Sequence, residues 1–200
     1  MITAGVDEAG RGPLAGPVVC AAVILPPDDG LIGLDDSKKI GEAKREALHD
    51  AILAVARAAC IQFIDAATID RMNILQATLH GMRRAVLGLQ LAPELVLIDG
   101  NRLPADLPCP ARALVGGDGL ERSIMAASIL AKVSRDRHLR TLDTRFPVYG
   151  FARNKGYPTA EHLAALLRHG PCPEHRRSYG PVHQASLFHP AETPAAGTGI

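Results

Sequence analysis

No Cys-x-x-Cys pair occurs among the four cysteines, Cys20, Cys60, Cys109 and Cys172, which argues against a structural zinc site or a redox dithiol. They read as reduced thiols of a cytoplasmic protein, with Cys20 and Cys60 in apolar runs expected in the core. The opening "MITAGVDE" has no basic region leading into an apolar stretch, and no run of about 18 apolar residues follows anywhere. A soluble, unexported protein is expected. The chain has no internal repeat, and its 200 residues suffice to bury a core without staples.

Net charge is also nearly absent, at +1. Its distribution is uneven. Residues 1–131 carry 12 Lys/Arg against 16 Asp/Glu, and residues 132–180 carry 10 against 4. Acids that lead and bases that follow suit a protein holding cations and a polyanion together, although solvated basic helix faces give the same count.

The stretch "GVDEAGRGPLAGP", residues 5–17, joins two opposing signals. Gly10, Gly12 and Gly16 would let a phosphate approach the backbone, while Asp7 and Glu8 would repel it. A dinucleotide fingerprint needs G-x-G-x-x-G opening a helix; here the spacing is G-x-G-x-x-x-G and a strand-like run follows.

Hydrophobic periodicity supplies a scaffold. "MITAGVDE", "PVVCAAVIL" and "CIQFID" read as strands, "ELVLIDG" as a buried strand ending at Asp99, and "ARALVGGD" as a fifth ending before Asp118. "GEAKREALHDAILAVARAA" reads as a helix with Leu48, Ile52, Val55 and Ala59 on one face, residues 73–91 as a second, and residues 120–145 as a third, rich in small residues. One short helix falls near "TAEHLAALLRH". The expected class is α/β, a mixed five-stranded sheet with helices on its faces. Residues 1–146 would form the core, 147–188 a C-terminal helical flap, and 189–200 a disordered tail.

On that scaffold Asp7, Glu8, Asp99 and Asp118 all fall at strand ends, where side chains distant in sequence can share a pocket. Each alone could cap a turn or helix. Together they suit Mg²⁺ or Mn²⁺, whose charge would let a nucleic-acid backbone approach the glycine loop. A non-catalytic nucleic-acid-binding protein would have no need of four such acids.

"GVDEAGRGPLAGPVV", "LDDSKK", "NILQATLHGMRRAV", "LIDGN", "GGDGLERSIMAASILAKVSRDR", "NKGYPTAEH" and "HRRSYGPV" resemble, in order and over residues 3–183, the bacterial ribonuclease HII family. The resemblance implies a ribonuclease H-like fold and cleavage of RNA in RNA–DNA hybrids, or 5′ to single ribonucleotides embedded in duplex DNA. It implies Asp7, Glu8, Asp99 and Asp118 as ligands of a divalent metal, Mn²⁺ or Mg²⁺. Gly10, Arg11 and Gly12 would sense the 2′-hydroxyl, and Tyr157 would stack on the sugar at the RNA–DNA junction. Ser37, Lys38, Lys39, Lys155, Arg176 and Arg177 are candidate substrate contacts, chiefly to phosphate. The family often has His before Lys-Gly-Tyr; here Asn154 stands there, losing any proton-handling role but able to donate to phosphate.

Just past these motifs, Gln184, Leu187 and Phe188 in "HQASLFHP" form a Q-x-x-L-F pattern similar to the peptides by which bacterial repair proteins bind the sliding clamp. That reading expects an accessible, flexible segment; the alternative is an apolar pair docked on its own domain. The protein is expected to work as a monomer.

Overall fold

The computed structural model describes residues 1–35, 37 and 40–189. Five strands form one mixed sheet in the order β3-β2-β1-β4-β5. β1 (Thr3–Ala9) and β2 (Val18–Ile24) pair antiparallel, as do β2 and β3 (Ala58–Ile64). β4 (Leu95–Asp99) lies parallel to β1, and β5 (Ala111–Leu114) parallel to β4.

Helices cover both faces. Between β2 and β3 comes α1 (Glu42–Val55), and between β3 and β4 come α2 (Ala66–Met72) and α3 (Ile74–Leu87). The long α4 (Arg122–Arg145) is followed by α5 (Phe151–Asn154), α6 (Ala160–His169) and α7 (Gly180–Phe188). One core layer packs Val19, Ala21 and Val23 of β2 against α1 and α4. The opposite layer packs Ala4, Val6, Cys20 and Ile98 against Met82, Ala85 and Val86 of α3. Alternation along the strands sorts these side chains to the two faces.

The small residues of α4 let it lie close. Ala126, Ala127 and Ala131 are wholly buried, and a Cβ on Gly5 would come within 2.1 Å of the Ser123 main chain. Glycine at that position is what allows helix and central strand to touch.

Several boundaries differ from the sequence reading. The first helix stops at Val55, because the Ala56 N–H closes on the Ile52 carbonyl and the chain turns extended. Ala59 therefore belongs to β3, where it pairs with Val23, and strand pairing has overridden the helical spacing. Residues 65–87 make two helices: Asp65 caps α2, and Asn73, at φ 66°, caps α3. α7 begins with proline in its first turn and contains the segment expected to be flexible. Of the expected tail only His189 is described, and its Nε2 donates to the Leu167 carbonyl at 2.9 Å. No described helix is long and apolar enough to cross a membrane.

Candidate active site

Asp7, Asp99 and Asp118 each offer an oxygen within 4.8 Å of the others. Register brings the first two together. Gly5 pairs with Leu97 across the parallel strands, so Asp7 and Asp99, two residues further on, end on the same face of neighbouring strands. Asp118 arrives from the 3₁₀ turn Gly117–Gly119, where its N–H donates to Asp99 Oδ1 at 3.3 Å.

Glu8 is not within that trio. As the neighbour of Asp7 it falls on the opposite face of β1, across from Cys20, and its carboxylate meets Arg11 at 3.6 Å. It borders both the acid cleft, about 330 Å³, and an adjoining groove against Met82 and Asn101. Asp7 and Glu8 thus both line the cleft beside the glycine loop, while Glu8 alone of the two also reaches the adjoining groove.

Burial, reinforced by Glu8 and Asp99, pushes the Asp7 carboxyl well above its ordinary value. Burial also raises Glu8, with Arg11 opposing and Asp99 adding. Such a cluster gains from a cation, and its hard oxygen donors fit Mg²⁺ or Mn²⁺.

The glycine loop forms the facing wall. Gly10, at φ 96°, could carry no side chain: a Cβ there would lie 2.0 Å from Arg135 Nε. Arg135 is buried and donates to the main-chain carbonyls of Pro17, Lys155 and Ala15 at 3.0, 2.9 and 3.1 Å. Arg176 does the same beside it, donating to Gly16, Arg11 and Gly10 at 3.0, 2.9 and 2.6 Å. Two guanidiniums therefore hold the loop from behind. Opposite Gly12 stands the Tyr157 ring, 45% exposed, with Cε1 3.6 Å from where a Gly12 Cβ would be.

The candidate phosphate contacts divide. Arg176 is fully buried and bonded to carbonyls, so a phosphate contact there is corrected to support of the loop. Ser37 is buried with its hydroxyl 2.8 Å from that of Ser128, although it borders the cleft. Asn154 is also buried; it donates to the Tyr149 carbonyl and accepts from the Gly156 N–H, leaving it a structural role in place of a phosphate donor. Lys155 is half-buried with Nζ donating to the Ala152 carbonyl, and Arg177 is exposed. Lys38 and Lys39 lie outside the described residues. Much of the basic segment is engaged internally: Arg137 and Arg140 pair with Glu46 of α1, and Arg145 with Glu174.

Three polar cleft residues were not singled out from sequence, Ser128, Lys132 and Arg135. Their spacing of four and three on α4 is the helical signal that could have found them. Lys132 reaches the cleft while paired with Asp136 at 2.8 Å.

The family model for ribonuclease HII matches residues 4–182. The chain belongs to the ribonuclease HII family. A ribonuclease HII of Methylibium petroleiphilum is 58% identical over 92% of this chain and 92% of its own. Among solved structures, the ribonuclease H2 of Pyrococcus horikoshii OT3 superposes with a TM-score of 0.78 at 25% identity, covering 94% of this chain and 98% of that one. A ribonuclease HII from Archaeoglobus fulgidus, solved in a complex with PCNA, gives 0.74 at 26% identity, covering 90% and 95%. Ribonuclease HII enzymes are divalent-metal-dependent endonucleases acting on RNA in RNA–DNA hybrids. The sheet and flanking helices described above are their ribonuclease H fold.

Proposed function

We propose that this ribonuclease HII hydrolyses the RNA strand of hybrids and also cuts 5′ to a single ribonucleotide in duplex DNA, by a two-metal-ion reaction leaving 3′-OH and 5′-phosphate ends. The observation carrying the reading is the trio Asp7, Asp99 and Asp118, within 4.8 Å of one another, of which Asp7 and Asp99 line a cleft together with Gly12 and Tyr157. The trio and Glu8 would hold the ions. Bound there, divalent metal supplies an activated water and stabilises the leaving oxygen.

The chain's own residues position the substrate. With the carbonyls of Gly10, Arg11 and Gly16 drawn back by Arg176, the loop is left preorganised for close contact with a 2′-hydroxyl, the one group that marks ribose. Tyr157 offers its exposed ring to the sugar at the junction. Arg11, Lys155 and Arg177 contribute positive charge toward phosphates without reading sequence. The test is cleavage of an end-labelled duplex carrying one ribonucleotide, in Mg²⁺, Mn²⁺ and EDTA. Cutting on the 5′ side, giving an end a polymerase extends, supports the reading; cutting on the 3′ side, or undiminished cutting in EDTA, contradicts it.

We infer as well that α7 docks on the replication sliding clamp. Leu187 and Phe188 are each 70% exposed at its C-terminal end, against the alternative of an apolar pair docked on its own domain, and the similar Archaeoglobus protein was solved with PCNA. Gln184 borders a small groove with Leu163 and Pro181. Apolar anchors beside a register-setting polar group are what such recognition needs. The Leu187→Ala, Phe188→Ala double variant should fold normally and lose clamp binding in a pull-down; retained binding removes the reading.

A further inference from the structure

Behind Tyr157 lies a buried chain of polar groups with no part in the acid cluster. His162 Nδ1 is 2.8 Å from the Tyr157 carbonyl, and His162 Nε2 is 3.0 Å from His175 Nε2. His175 Nδ1 is in turn 3.1 Å from the Cys172 main-chain nitrogen. Both rings are essentially inaccessible, with relative exposures of 0% and 1%.

Only one arrangement of protons satisfies these contacts. A carbonyl accepts only, so His162 Nδ1 carries hydrogen; a main-chain N–H donates only, so His175 Nδ1 carries none. The His175 proton therefore sits on Nε2 and is donated to the bare Nε2 of His162. Both rings are neutral, and every polar atom of the pair has a partner. Burial favours that state, lowering His175 to about 3 and His162 below its ordinary value. Tyr149 packs edge-on against His175 with ring centroids 4.7 Å apart, and Phe151 against His162 at 5.5 Å.

The two ends of this chain are the two walls that read the substrate. His175 bridges Ala15, while the Gly16 N–H donates to Glu174 and the Arg176 N–H to Leu14, all in the strand-like continuation of the glycine loop. His162 lies in the first turn of α6 and holds the carbonyl of Tyr157. The ring-to-ring hydrogen bond thus ties the Tyr157 segment to the segment that backs the loop.

We propose that His162 and His175 are positioning residues for substrate reading: their hydrogen bond sets the Tyr157 ring against Gly12 without touching nucleic acid. This rests on the reading of Tyr157 as the junction aromatic. A long hybrid cut internally has no RNA–DNA junction, so it does not use that contact and serves as an internal reference.

The test compares full-length wild type, His175→Leu, His175→Gln and Tyr157→Ala on a duplex with one embedded ribonucleotide and on a long hybrid, with cooperative unfolding checked for each. Gln places a donor where Nε2 was; Leu places none. His175→Leu should raise KM on the single-ribonucleotide duplex by about tenfold, with kcat and the hybrid rate nearly kept, and His175→Gln should restore most of the loss. Should His175→Leu fail to fold, His162→Asn cuts the same bond while keeping a donor to the Tyr157 carbonyl, and the same KM split is expected. Equal losses on both substrates mean a purely structural pair and overturn the proposal, as does no loss on either. If Tyr157→Ala itself leaves the ratio of the two substrates unchanged, the junction reading has failed and the proposal falls with it; if only the histidine variants leave it unchanged, the proposal alone is wrong.

Discussion

Arg176 donates from Nη2 to the carbonyl of Gly10 at 2.6 Å, across 166 positions of sequence. The last basic motif of the chain thereby supports the first glycine loop from within. A point-like ammonium cannot reach three carbonyls at once; the Arg11 carbonyl would keep the Tyr179 hydroxyl as a donor, but those of Gly10 and Gly16 would lose the guanidinium, and a buried carbonyl left unpaired costs about 1–3 kcal/mol. Arg176→Lys is therefore expected to lower unfolding free energy by about 2 kcal/mol or more in a denaturant titration and to reduce cleavage. A phosphate contact would behave otherwise, with unchanged stability and a shallower salt dependence of binding.

Asp7 illustrates stability given up for function. Its buried carboxyl is raised well above the ordinary value by desolvation, Glu8 and Asp99, so at neutral pH without metal its charge opposes folding. Asp7→Asn should raise the metal-free melting temperature while lowering cleavage by orders of magnitude. Added Mn²⁺ should stabilise the wild type by mass action and the variant much less. A variant that melts lower in EDTA, or responds to Mn²⁺ like wild type, contradicts the assignment.

The acid response should carry a signature of His175. An unfolded histidine titrates near about 6.5, and the buried ring titrates at about 3. Between these values the unfolded chain binds more protons, so stability rises with pH through the window and is lost on acidification, approaching about 1.4 kcal/mol per pH unit. The raised carboxyls of Asp7 and Glu8 act in the opposite sense, which makes a paired measurement necessary. His175→Gln should show a shallower loss of stability than wild type between about pH 6 and about pH 4 in urea titrations; parallel curves contradict a neutral buried His175.

Where the sequence was readable, local pattern and long-range structure agreed. Asp7, Asp99 and Asp118 follow apolar runs that can hardly be anything but strands, and acids at such ends converge. The places that escaped reading depend on partners far away. Ala59 keeps helical spacing with Leu48 and Ile52, yet pairing with Val23 puts it in a strand. Arg135 and Arg176 look like surface charge until the carbonyls of residues 10–17 surround them. Leu187 and Phe188 precede a tail of small and polar residues, which hides that Pro181 opens a helix carrying them.

The claim on which the rest depends is that the carboxylate trio cuts beside a ribonucleotide. Asp99→Asn keeps shape and removes a charge from the cluster, and it tests that claim most directly on a duplex with one embedded ribonucleotide in Mn²⁺ or Mg²⁺. Single-turnover cleavage should fall by orders of magnitude while the variant unfolds as cooperatively as wild type and still binds the duplex. Cleavage by Asp99→Asn at the wild-type rate would contradict the assignment of the site.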